Sequence, residues 1–167
     1  MSHPTPEQIA EWDRRDMFNG AHGQCLRIFQ SGVFSRSGVR SPLFQSAVVQ
    51  TLICLNDLLQ KAKDEGHRIS FTDHITLEPG VSDVTDLINK CRNAACHIGS
   101  KHSNFEYGRF RFNVIVGRGT GVQIGDVFHA QCEFDDDIAV YYGTFRLYLA
   151  RHALRAFEEV SAALGVT

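Results

Sequence analysis

Apolar residues recur at intervals of three and four along most of this chain, and change to simple alternation only between about residues 105 and 134. The cleanest helical stripe is Val48, Thr51, Leu52, Leu55, Leu58, Leu59 and Ala62, opened by Ser41-Pro42 and stopped by Gly66. Upstream, Thr5-Pro6-Glu7-Gln8 supplies an N-cap, a first-turn proline and a glutamine three residues after the cap. A helix to about Gln30 is expected from it, with Ile9, Trp12, Leu26 and Phe29 inward. A third helix is expected from Ser82 or Asp83, with Val84, Leu87, Ile88, Cys91, Ala95 and Ile98 as its buried stripe and Gly99 as its stop. A fourth is expected over about residues 144–164, with Leu147, Ala150, Leu154, Phe157 and Leu164 inward. The three aspartates Asp135, Asp136 and Asp137 would also suit an earlier helix start near Asp136.

Between the third and fourth helices, Phe110, Phe112, Val114 and Val116 alternate with Arg111, Asn113 and Ile115, and Gly117-Arg-Gly-Thr-Gly121 follows as a turn. Residues 122–134 can return as a second strand. The expected architecture is therefore mainly α: one domain over residues 1–167, a four-helix bundle with a β-hairpin or small sheet inserted at about residues 105–134.

Composition refines this picture in two ways. Five cysteines in 167 residues, an odd number with no regular spacing, and no signal-like N-terminus point to reduced thiols and a cytoplasmic setting. No apolar run approaches the roughly 18 residues of a membrane span, so no membrane partner is expected. The formal net charge is −2, which excludes a uniformly basic nucleic-acid binder. The charge is nonetheless segregated. Lys90, Arg92, Lys101, Arg109, Arg111 and Arg118 face a single acid, Glu106, before the sign reverses at Asp126, Glu133 and the aspartate run. That basic stretch could draw a phosphate backbone toward Arg92.

The chemistry concentrates at the end of the third helix, in Arg92-Asn-Ala-Ala-Cys-His97. Arginine stays charged and grips a phosphodiester at two oxygens, and histidine moves protons near neutral pH. Spacing by itself is weak, because Arg15 and His22, Arg68 and His74, and Arg146 and His152 stand at similar separations. Only Arg92 is followed by asparagine at the end of a third predicted helix. On a regular helix the two side chains would project about 140° apart and roughly 7.5 Å apart along the axis. One phosphate could then meet both only if the helix unwinds near His97 or a second copy completes the site.

These six residues, with the helical order around them, resemble the motif of the HEPN superfamily (higher eukaryote and prokaryote nucleotide-binding domains), in which an arginine precedes a histidine by four to six residues. The resemblance implies a metal-independent endoribonuclease, with no cofactor and no metal, acting as a toxin or defence effector. It also implies a homodimer with a shared cleft, and an antitoxin or other protein partner. His97 would serve as base toward a ribose 2′-hydroxyl or as acid toward the departing 5′-oxygen, Arg92 would stabilise the phosphorane-like transition state, and Asn93 would orient either group. The negative end of the helix favours protonated imidazole at His97, which suits the acid role. The product would be a 2′,3′-cyclic phosphate. Lys101, His102 and Arg109 are candidate RNA contacts. One toxin branch carries a tyrosine two residues after the histidine; Gly99 stands there, so the chain is not placed in that branch.

Three other readings compete with this one. Cys91, Cys96, His97 and His102 cluster in sequence, but a tetrahedral zinc site on a regular helix is awkward at these spacings, and small buried cysteines explain them more cheaply. Gly117–Gly121 lacks the lysine and hydroxyl residue of a phosphate loop and reads as a turn. The alternative from another class is a non-catalytic helical module that binds RNA or a protein partner.

Overall fold

The computed structural model describes residues 4–96, 104–105, 108–109, 112–124 and 128–165. Four α-helices, α1 (Pro6–Gln30), α2 (Phe44–Asp64), α3 (Val84–Cys96) and α4 (Arg155–Leu164), accompany seven strands. The strands are β1 (Asn104–Phe105), β2 (Gly108–Arg109), β3 (Asn113–Val116), β4 (Gly119–Ile124), β5 (Phe128–Cys132), β6 (Ile138–Tyr142) and β7 (Phe145–Tyr148). They form an antiparallel three-stranded sheet in the order β3-β6-β7 and two ribbons, β1-β2 and β4-β5.

The helical half follows the sequence closely. The Thr5 hydroxyl accepts from the Gln8 amide and the Gln8 side chain accepts from the Thr5 amide, closing the capping box that opens α1. All seven residues of the α2 stripe are buried, and Val84, Leu87, Ile88 and Cys91 of α3 pack against them. Burying each such leucine or isoleucine contributes about 1.5–3 kcal/mol. The expected inward face of α1 needs correction. Ile9 and Trp12 are 44% and 61% exposed, and the first α1 residues packed on the core are Phe18 and Ala21. Ala10 and Asp13 of these first turns line a groove with Asp57, Leu58 and Lys61 of α2, while Ile9 and Trp12 face outward.

The expected mainly-α bundle with one inserted hairpin is overturned, and the molecule is mixed α/β. Residues 138–142 and 145–148, expected within or near the last helix, are strands joined by Gly143-Thr144. This two-residue loop has φ +62° at Gly143, the geometry glycine supplies in tight hairpins. A run of β-branched and aromatic residues, Ile138-Ala-Val-Tyr-Tyr142, is buried on both faces and forms the central strand. β3 pairs with β6 in the register Val114↔Val140, not with the strand that follows it. The hairpin after Gly117 is instead β4-β5.

The sheet therefore separates two cores. Ile138, Val140, Tyr142, Phe145 and Leu147 face the helices, while Ala139, Tyr141 and Tyr148 face Ala130 and Cys132 of the β4-β5 ribbon. The Tyr141 hydroxyl accepts from the Gln131 amide at 2.9 Å and donates to the Gln131 carbonyl at 2.7 Å, tying ribbon to sheet. After β7 the chain makes a π-helical turn, Leu149–Leu154, before α4. The buried Asp137 carboxylate accepts from the Ala150 and Arg151 amides there, so an aspartate of the run does serve a helix start, but one thirteen residues later.

Candidate functional site

α3 is anchored at its N-terminal turn. Asp83 accepts from the Asp86 amide at 3.0 Å and from two Arg68 nitrogens at 2.7 and 2.9 Å, and Arg68 also reaches Asp86. The Thr85 hydroxyl donates to the Ile69 carbonyl. With its start fixed and its apolar stripe packed on α2, the polar side of α3 has a determined orientation.

That side carries a directional chain of hydrogen bonds. Arg92 Nη1 donates to Asn93 Oδ1 at 3.0 Å, Asn93 Nδ2 to Asn89 Oδ1 at 3.1 Å, and Asn89 Nδ2 to Asn56 Oδ1 at 3.0 Å. Asn89 and Asn93 are one helical turn apart, which sets the middle bond. Asn56 comes from α2, where it is buried amid the leucine stripe. Asn89 and Asn93 each donate and accept, and Asn56 accepts at the end of the chain, so the bonds polarise one another in the same sense and hold the guanidinium at the far end.

Arg92 is half-buried and makes no ion pair with a carboxylate among the described residues. Its Nε is buried with no hydrogen-bond partner. This sets it apart from the arginines of two competing Arg/His pairs. Arg68 is taken up by Asp83 and Asp86, and Arg146 by Glu133 at 2.6 Å. The histidines of all three competing pairs have packing roles: His22 stacks on Phe157, His74 packs edge-on against Phe134, and His152 is fully buried. A half-buried guanidinium without a carboxylate partner can bind an anion through its outer N–H groups without breaking an existing ion pair.

A second orphan lies on the sheet side. The Tyr142 hydroxyl is buried without a partner, and burial pushes its phenol up, with the neighbouring Cys91 and Cys96 thiols acting in the same direction. Cys91 and Cys96 bracket the turn of α3 that carries Arg92.

Of the residues proposed from sequence, Arg92 and Asn93 are brought together. His97, Lys101 and His102 lie outside the described residues; Arg109 sits in β2 opposite Asn104, and its side chain lies outside the described set. Arg118, part of the basic stretch, pairs with Asp135 at 3.3 Å. Among the described residues no group of three histidines, cysteines or carboxylates could hold a metal ion, and Cys91 is fully buried while Cys96 is exposed. All five cysteines are free. No helix among the described residues is long and apolar enough to cross a membrane.

Sequence reasoning missed Asn56 and Asn89. The signal was present: Asn56 is an amide interrupting the apolar stripe between Leu55 and Leu59, and Asn89 stands one turn before Asn93. No family model, curated protein or solved structure matches this chain.

Proposed function

We propose that the protein is a metal-independent endoribonuclease whose working groups are Arg92, Asn93 and His97. The observation that carries the reading is the Asn56–Asn89–Asn93–Arg92 chain, which ends in a half-buried guanidinium without a carboxylate partner and with an unused Nε–H. Three asparagines between helices are poor packing material, and apolar residues there would cost less desolvation. Holding a cation ready for a phosphodiester explains them. The motif resemblance at residues 92–97 supports the same assignment, which rests on side chains and not on a helical-bundle framework.

In the proposed reaction the ribose 2′-oxygen attacks phosphorus and the P–O5′ bond breaks. The 2′-hydroxyl proton passes to a base, the 5′-oxygen receives a proton, and a 2′,3′-cyclic phosphate remains. His97 takes one of these proton transfers. A second copy's His97 in a shared cleft takes the other. Arg92 neutralises the charge gathering on the non-bridging oxygens, and Asn93 fixes the guanidinium plane.

The test is cleavage of structured and unstructured RNAs by purified protein in EDTA, beside His97→Ala, Arg92→Ala and Arg92→Lys. The expected result is cyclic-phosphate product from the parent protein and at least a ~100-fold loss in each variant, the order seen when one transition-state donor or proton-transfer group is removed. Arg92→Lys keeps the charge but loses the fork, so its failure separates geometry from charge. No cleavage by folded protein, with RNA binding retained, would overturn the catalytic reading in favour of a binding module. Cleavage indifferent to all three substitutions would remove the site from α3.

A further inference from the structure

A half-open cavity of about 600 Å³, with no α3 residue in its lining, lies between the C-terminal turns of α1, the loop after it, the start of β6 and the π-helical turn leading into α4. Its walls are Leu26, Phe29, Phe34, Leu149, Leu154 and Phe157. Phe29 packs on Phe34 at 5.6 Å and on Phe157 at 5.4 Å between ring centroids, so one side is a continuous aromatic surface. A volume of this size with mainly apolar walls and a few polar groups is typical of a small-molecule site. The π-helical turn along one wall is a second, independent pointer, because such turns are rare and concentrate where helices serve a site.

The charged part of the lining decides the ligand's charge. It holds Arg36, Asp136, Asp137 and Glu158. Arg36 Nη2 donates to the Asp135 backbone carbonyl, and Asp136 meets Arg151 at 2.9 Å while leaving most of its carboxylate in solvent. Glu158 is exposed and has no hydrogen-bond or ion-pair partner among the described residues. The lining thus sets three carboxylates, Asp136, Asp137 and Glu158, against one guanidinium, Arg36, and includes aromatic rings that favour a cation.

We propose that this cavity binds a small organic cation with an apolar body, an aryl- or alkyl-ammonium, its body against Phe29, Phe34 and Phe157 and its ammonium at Glu158 and Asp136. The site is independent of the ribonuclease reading and stands or falls without it.

Tryptamine and indole-3-propionate present nearly the same body with opposite charge, and titration calorimetry on the full chain compares them directly. The amine should bind in the sub-millimolar range and at least about tenfold more tightly than the acid, a difference of ~1.4 kcal/mol. Glu158→Gln, a substitution at an exposed position, should reduce that preference to about twofold. Ala150→Phe places a ring at an exposed position of the lining and should abolish binding of both probes while leaving the unfolding midpoint unchanged. Equal binding of amine and acid would overturn the charge assignment. Binding that survives Ala150→Phe would overturn the location, and no binding of either probe would overturn the site.

Discussion

At the scale of single residues, the structure holds two buried polar devices with different consequences. In the asparagine chain every amide depends on its neighbours, so removing a middle member leaves two groups unpaired. Asn89→Ala should cost about 1–3 kcal/mol, read as a lower urea midpoint, because the Asn56 carbonyl and an Asn93 N–H lose their partners together. Asn56→Ala and Asn89→Ala should be clearly non-additive in the double variant; simple addition would mean the amides act separately. His152 is the second device. Its Nδ1 accepts from the Tyr148 amide at 3.1 Å and its Nε2 lies 3.0 Å from the Asp73 carbonyl, so the neutral ring satisfies both. Burial lowers its pKa to about 4 from 6.5. Between those values the unfolded chain takes up a proton that the fold refuses. The stabilisation is fully present above about pH 6.5 and is lost as pH falls toward 4, up to about 3 kcal/mol. Urea unfolding at pH 7 and pH 4.5 should show that loss in the parent protein, and His152→Gln should flatten it; an equal slope in both would assign the acid sensitivity elsewhere.

At the scale of elements, the β4-β5 ribbon depends on one close approach. A Cβ at Gly121 would lie 2.8 Å from Ile115 Cγ1, at the point where the register of β4 slips between Thr120 and Val122. Gly121→Ala should therefore lower stability by about 1–3 kcal/mol through overpacking, and Gly121→Ala with Ile115→Val should recover part of it. A thermal midpoint unchanged by Gly121→Ala would show that Ile115 yields freely. The same region marks where sequence patterns ran out. α2 was legible because its stripe has one period and one consistent partner. Residues 145–157 satisfy two periods: Phe145, Leu147 and Leu149 alternate, while Leu147, Ala150, Leu154 and Phe157 also suit a helix. Only the pairing of β7 with β6 decides between them, and that is a tertiary fact. β3 was expected to pair with its neighbour across Gly117, whereas pairing with β6 buries both faces of the central strand. Of the candidate site, Arg92 and Asn93 were legible as a local motif. Asn56 was not, because it lies 36 positions from Arg92 and joins the site only through helix packing.

At the scale of the whole molecule, the large apolar side chains on the first turns of α1, Ile9 and Trp12, are exposed and stand outside both cores. A helix of 25 residues is about 37 Å long, and its contacts with the core begin at Phe18, roughly half-way along. Short isolated helices are marginal in water, so this part of α1 leans on its capping box, its continuity with the packed half and the groove it lines with α2. Its amides should exchange hydrogen faster than those of α2 by several orders of magnitude, through local opening that leaves the cores intact. The protein's single tryptophan, Trp12, sits on this segment at 61% exposure and reports on it directly. Its emission in dilute protein should lie close to that of a solvated indole and move little on urea unfolding, while far-UV circular dichroism shows the full transition. Trp12→Ala should change the unfolding free energy by less than about 0.5 kcal/mol, as for an exposed surface position. If α1 packs against a second copy when the proposed shared-cleft dimer forms, emission should shift to the blue and quenching by acrylamide should weaken as protein concentration rises. Solvated emission at every concentration, together with a dimeric mass in solution, would place the dimer contact away from α1. A blue-shifted emission in monomer at high dilution would contradict the exposure of Trp12 itself.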